Sequence, residues 1–208
     1  MPPRLRPIER PNLLMVEGEE EERFWNALLR VRARNDIQVQ AVGGKYSLTT
    51  NLPSATRARG FAQVRRLGVA QDADDDAGAA FDRICGALVI AGLSVPRRSW
   101  AIAAGSPEVV ALVLPDGHNP GDLESLVWES VAGEAAVSCV ESFMTCLVEA
   151  NIPLPRQQSK ARVHAYLATL DPPDRRLGDA AADSLLLLNG PVFDSILEFF
   201  PPFTPEPT

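Results

Sequence analysis

Side chains suited to soft metal ions or to nucleophilic catalysis are scarce in this chain. Three cysteines and two histidines stand among 208 residues, with no Cys-x-x-Cys pair. An odd cysteine count argues against a disulfide framework. Cys139 and Cys146 lie seven apart in a helical pattern, which puts their Cα atoms roughly 10 Å apart, too far to bridge. With only His118 and His164 to add, a zinc site is disfavoured. All three cysteines are expected to be small buried side chains. His118 is expected on an exposed loop rather than acting as a general base, and His164 in a partly buried structural role. No serine or cysteine has a persuasive histidine partner, so nucleophilic catalysis has no support.

Long apolar runs are also missing. None approaches the roughly eighteen residues that a membrane span needs. Met1-Pro2-Pro3-Arg4-Leu5-Arg6-Pro7 carries positive charge with no apolar segment behind it, unlike a secretory signal, so a cytoplasmic location is expected. A basic surplus is absent too: the formal net charge is −7, whereas tight nucleic-acid binders usually show a basic face. Much of the acid is concentrated in Glu17 to Glu22 and Asp72 to Asp76. A bound metal would neutralise part of it, so charge alone does not exclude a phosphate substrate.

What is present is a core and an order. A hydrophobic fraction of 46% supports one large domain, or one domain with an extension. Residues 1–11, rich in Pro and Arg, read as an arm. Strands are expected at 13–16, 37–42, 64–71 and 109–114, each a nearly continuous apolar run. A helix over 19–34 places Phe24, Ala27, Leu28 and Val31 on one side, and another over 77–91 aligns Phe81, Ile84, Leu88 and Ala91. Asp75 or Asp76 suits the N-cap of that second helix, and Asp122 starts a further one. A polar helix or loop is expected through Thr56, since Leu52-Pro53-Ser54 interrupts any longer element. Apolar strands alternating with helices predict an α/β fold: about four mainly parallel strands, covered on both faces, over 12–133. From Glu134 the pattern is helical only, at 135–150, 161–169 and 180–188, giving a helical extension over 134–208 packed on the same domain. The segment Phe199-Phe200-Pro201-Pro202-Phe203 is expected to end structure.

Two of the apolar runs end in carboxylates. Leu13-Leu14-Met15-Val16 is followed by Glu17-Gly18, and Val69-Ala70-Gln71 by Asp72-Ala73-Asp74. Ligands of open parallel sheets bind beyond the carboxyl ends of the strands, where Glu17, Asp72, Asp74 and an additional acid, Asp116, are expected. Asp72 and Asp74, two apart, point the same way on an extended chain. Oxygen-only ligands select hard cations, Mg²⁺ first and Mn²⁺ as a substitute. The plainer readings are loop residues for Asp72 and Asp74, capping for Asp75 and Asp76, and a solvated helix face for Glu19 to Glu22. Lys45 follows Gly43-Gly44 and is a candidate phosphate contact, although no complete nucleotide P-loop surrounds it and a plain turn accounts for it.

Val16-Glu17-Gly18 after a strand, a glycine-containing exit from the second strand, and Asp72-Ala73-Asp74 after the third together resemble the Toprim domain. That domain occurs in primases, topoisomerases and OLD-type nucleases. The resemblance is closest to small stand-alone Toprim-like proteins, through Leu114-Pro115-Asp116, Gly121-Asp122-Leu123-Glu124 and the segment Lys160 to Ala168, and covers residues 12–200. It implies that Glu17 is a metal ligand and a general acid or base, and that Asp72 and Asp74 hold Mg²⁺. It further implies that Glu124 completes a second metal site and that Lys160 stabilises developing phosphate charge, though a helix-surface lysine is the alternative. Tyr46 and Tyr166 stand in no evident strand-passage site, and 208 residues are expected to carry no ATPase, zinc-ribbon or topoisomerase machinery. The expected function is a Mg²⁺-dependent phosphodiesterase, a hydrolase cutting DNA or RNA, with a homodimer or a partner protein to supply positive surface. The alternatives are a non-catalytic metal-binding regulator or assembly subunit with the same fold, and an acyl-phosphate receiver or phosphohydrolase.

Overall fold

The computed structural model describes residues 6–44 and 47–202. Strands β1 (Asn12–Val16), β2 (Ile37–Ala41), β3 (Arg66–Asp72), β4 (Ile102–Ala103) and β5 (Glu108–Leu114) form one sheet in the order β2-β1-β3-β5-β4. The four longer strands pair parallel. β4 joins antiparallel to β5 at the edge. The protein is thus α/β, with a mostly parallel sheet of five strands rather than four. A two-residue strand is too short to show any hydrophobic period, which is why β4 escapes sequence reading.

Among the described residues eight helices surround the sheet: α1 (Glu19–Val31), α2 (Leu48–Thr56), α3 (Ala77–Ile90), α4 (Leu123–Ser130), α5 (Ala135–Glu149), α6 (Gln158–Leu167), α7 (Leu177–Ala182) and α8 (Asp194–Leu197). The period of two along the strands divides the core. Leu13, Met15, Leu67, Val69 and Val113 pack with Leu52, Ile84 and Leu88 under α2 and α3. Leu14, Val16, Val110 and Leu112 face the other way, against Phe24 and Leu28 of α1, Leu126 of α4 and Leu167 of α6. Burial on both faces is why these strands carry so little polarity. None of the helices among the described residues is long and apolar enough to cross a membrane.

Several expectations change. The helix or loop expected through Thr56 is a helix, α2, which ends there and runs through Pro53; burial of Leu52 and Ala55 on either side outweighs the missing donor in this short helix. Val31 faces solvent, and Trp25 and Leu29 are buried instead. α6 begins at Gln158, and α7 is shorter and earlier than the pattern at 180–188 suggests. Cys139 and Cys146 are exposed and Cys85 is half-buried, because α5 buries only Val140 and Met144. His164 is exposed, as is His118. Among residues 19–22, two glutamates bind rather than simply solvate: Glu22 accepts from the Ala41 amide at 2.9 Å and pairs with Arg6, and Glu20 accepts from the Leu177 amide at 3.0 Å.

The first and last described segments are tied in. Ile8 is buried, and its amide donates to the Arg59 carbonyl at 2.8 Å. Phe200 is fully buried rather than lying in a loose tail. Its ring occupies the space left by Gly68 in β3, where a Cβ would stand 2.4 Å from Phe200 Cζ. Arg66 donates to the Phe199 carbonyl at 2.6 Å, and Arg34 donates to that of Phe200.

Arg34 also forks onto Asp36 at 2.8 and 2.9 Å, and buried Asn12 donates to the same carboxylate at 2.7 Å. Partial burial works to raise the Asp36 pKa, but the Arg34 hydrogen bond and charge, with Asn12, outweigh it and hold the group below the usual range. An acid depressed in the fold adds stability that is complete above the unfolded pKa and lost as pH falls through the folded one. Asp36→Ala is therefore expected to cost about 1.5–3 kcal/mol near neutrality. Its deficit against wild type should close on acidification below about pH 4. A deficit that stays constant across that range, in denaturant titrations at each pH, would remove the ionic account.

Candidate functional site

The carboxyl ends of β1, β3 and β5 meet at one edge of the sheet. Glu17 directly follows β1, and Asp72 is the last residue of β3, opposite Leu114 of β5. The loops beyond these strands are fastened together. The Ala73 amide donates to the Leu114 carbonyl at 3.0 Å, and Asp74 and Gly121 exchange two backbone hydrogen bonds of 2.8 Å. Gly121 has φ +147°, and a Cβ there would meet Pro115 Cδ at 2.8 Å and Ser125 Oγ at 2.9 Å. Only glycine fits this crossing. It brings the first turn of α4 over the end of β3.

That turn meets Asp72. The Leu123 amide donates to Asp72 Oδ1 at 3.0 Å, using one of the free donors of a helix start. Asp72 is 8% exposed. Burial, followed by the charges of Glu124, Glu17 and Asp122, pushes its carboxyl well above the usual range, while Lys160 pulls the other way. Burial likewise raises Glu124, to about 7, with Lys160 opposing and Asp122 adding. Lys160, on α6, loses some proton affinity to burial, but Glu124, Asp72, Asp122 and Asp74 more than restore it and raise its pKa. The centre is a partly enclosed group of acids around one ammonium.

Asp122 fixes α6 to this edge. Its Oδ1 accepts from the Ser125 amide and hydroxyl at 3.0 and 2.9 Å, and its Oδ2 accepts from Ser159 Oγ at 2.7 Å. The neighbouring residue, Lys160, is thereby held beside the acids. On the other side, Gln71 Nε2 donates to Glu17 Oε1 at 3.3 Å. A cleft of about 880 Å³ opens alongside, lined by Asp74, Asp122, Arg156, Gln157, Ser159 and Lys160 among others. Arg156 at its rim pairs with Asp75.

The structure brings Glu17, Asp72, Glu124 and Lys160 to one place, with Asp74 close to Lys160. Asp74 does not continue the strand alternation from Asp72, because its φ is +51°. Asp76, not Asp75, caps α3, accepting from the Ala79 amide at 2.9 Å. Asp116 is turned onto its own loop, accepting from the His118 and Asn119 amides at 2.9 and 2.8 Å and from Asn119 Nδ2 at 2.7 Å. Lys45 lies outside the described residues. Sequence reading missed Gln71, which sits inside an apolar run. It saw in Asp122 only a helix start, although Ser125 three residues on was a legible capping-box signal.

Among the described residues, no three His, Cys, Asp or Glu side chains form a group that could hold a metal ion. The donor chemistry suits a hard cation all the same. It is oxygen-only, and ionising Asp72 works against burial and three acidic neighbours, a cost that a nearby dication offsets. Side-chain rotation by Glu17, Asp74 or Glu124 is what closing such a site requires.

No curated protein matches the chain. Among solved structures, it is similar to the C-terminal region of the Burkholderia pseudomallei OLD protein at 15% identity, TM-score 0.48, over 92% of this chain and 97% of that chain. It is also similar to the C-terminal region of the Xanthomonas campestris pv. campestris OLD protein, phased with mercury, at 14% identity, TM-score 0.45, over 91% and 94%. A family model described as protein of unknown function (DUF3226) matches residues 11–203, and the chain belongs to that family.

Proposed function

We propose that this protein is a Mg²⁺-dependent phosphodiesterase of the Toprim type, cutting nucleic acid at the edge formed by β1, β3 and β5. One observation carries the reading: Asp72 is buried at a strand end against Glu17 and Glu124, with Lys160 as the opposing charge. Burying several acids together is costly unless a cation offsets them. Glu17, Asp72, Asp74 and Glu124 are the residues that would hold Mg²⁺, or Mn²⁺ in its place. When bound there, the ion would supply Lewis-acid polarisation of a phosphoryl oxygen.

The remaining chemistry belongs to side chains. Glu17, only half-buried, accepts a proton from the attacking water as general base. Lys160 stays protonated among its acidic neighbours and offsets charge developing on the phosphate. The cleft bordered by Asp122, Ser159 and Arg156 is where the substrate strand lies. The test incubates labelled single-stranded and duplex DNA and RNA with Mg²⁺ or Mn²⁺, beside Asp72→Ala/Asp74→Ala protein and a chelator control. Cleavage by wild type alone, and only with metal, is the expected result.

A second reading is a regulator that binds metal without turnover. The Leu123 amide already occupies one Asp72 oxygen, and no three donors are preassembled among the described residues. Intact substrates together with calorimetrically detected Mn²⁺ would favour it.

A further inference from the structure

Gln71 is 2% exposed in the central strand of the sheet, where its same-face neighbours Val69 and Ala73 and its β5 partner Val113 are aliphatic. The register Met15↔Val69, continued by two residues, sets Glu17 beside Gln71 on the same face of adjacent parallel strands. Its Nε2 donates to Glu17 Oε1 at 3.3 Å, while its own Oε1 is enclosed without a hydrogen-bond partner. Among the described residues the Nε atoms of Arg66 and Arg83 are likewise enclosed without a partner, whereas the other fully buried polar side chains are paired. Asn12 binds Asp36, Gln40 binds the Arg6 amide and carbonyl, Ser99 binds the Val113 amide, and Asp122 binds Ser125 and Ser159.

A buried acceptor left unpaired works against folding, and an aliphatic side chain would fill the site without that cost. The amide's one hydrogen bond goes to a carboxylate of the proposed centre. We infer that Gln71 is a positioning residue: its buried N–H holds the Glu17 carboxylate at the sheet edge and limits the directions it samples. A long acidic side chain between a strand end and a glycine has many rotamers, and a fixed donor restricts them. The assignment of Gln71 to Glu17 stands on geometry alone. Its effect on cation binding rests on the metal-centre reading proposed above.

Two measurements on the full chain test this, using Gln71→Met, which keeps length and removes both polar atoms. In metal-free protein, ¹³C relaxation of the Glu17 side chain should report lower order in Gln71→Met than in wild type, with the fold's melting temperature kept or raised. Unchanged Glu17 order would overturn the inference whatever the metal does. In Mn²⁺ titrations by calorimetry, Gln71→Met should bind about ten- to a hundredfold more weakly, the loss typical of removing a partner that orients a ligand. Added to Glu17→Gln, it should weaken binding no further. Equal affinity of wild type and Gln71→Met, or additive losses, would also overturn it. If wild type binds no Mn²⁺, the metal-centre reading fails, and positioning is decided by the relaxation result. If Gln71→Met unfolds, Gln71→Leu is measured in the same two ways.

Discussion

Asp72→Asn is expected to stabilise the metal-free protein near pH 8 while removing Mg²⁺-dependent cleavage. The reason lies in what surrounds the carboxyl. Burial and then Glu124, Glu17 and Asp122 hold its pKa well above the usual range. For an acid raised in the fold, the ionised form is disfavoured there: the penalty is absent below the unfolded pKa and grows as pH rises toward the folded one. Asparagine carries no such charge, and its Oδ1 still accepts from the Leu123 amide, so the mutant should gain about 1–3 kcal/mol at alkaline pH and little near pH 4. Glu124, raised to about 7, adds a penalty of its own, on the order of 2 kcal/mol after solvent screening of a half-buried group. Wild type without metal should therefore lose stability from about pH 5 to about pH 8, and Mg²⁺ should restore more of it at the higher pH. Cleavage should fall at least a hundredfold, since even partners one layer away from a metal cost about ten- to a hundredfold. Denaturant unfolding at the two pH values reads the first effect and the labelled-substrate assay the second. A mutant less stable than wild type at pH 8 would show that the Asp72 charge is already compensated in the metal-free fold and does not await a cation.

The largest structural effect is expected at Gly68 and Phe200. Phe200→Ala should cost about 3–5 kcal/mol, the range for emptying an aromatic site in a core. Gly68→Ala places a methyl 2.4 Å from Phe200 Cζ and 3.3 Å from Leu14 Cδ1. The strand between β1 and β5 has little freedom to move, so the ring must yield, at about 1–3 kcal/mol. The double mutant is the sharper measurement. The added methyl enters space that Phe200→Ala vacates, so the pair should cost no more than Phe200→Ala alone. Strict additivity in denaturant titrations would mean that the ring does not close the sheet's face at this point.

The two sites differ in how far the sequence discloses them. Glu17 and Asp72 are legible because each breaks an apolar run at a place where a parallel strand must end. Gln71 is not, because one polar residue inside an apolar run looks like tolerance. Phe200 is hidden in another way: aromatic residues between prolines read as a terminus, and only the missing Cβ of Gly68, more than a hundred residues away, gives the ring a place. Cys139 and Cys146 err in the opposite direction, since their type suggests burial but α5 covers the core with other residues.

What the sequence determined by itself is local in origin. Apolar runs of strand length, helical spacing in α1 and α3, and capping acids at Asp75 or Asp76 and at Asp122 fix the α/β alternation and hence a mostly parallel sheet, with Glu17 and Asp72 at its carboxyl edge. The tertiary structure alone decided which acids meet. Asp74 leaves the strand direction, Asp116 turns onto its own loop, and Glu124 and Lys160 arrive on helices placed by the Asp74–Gly121 crossing and the Ser159–Asp122 hydrogen bond. Periodicity records which face of an element is buried. It does not record the partner across a turn or the donor one strand away, because those contacts exist only once the chain has closed on itself.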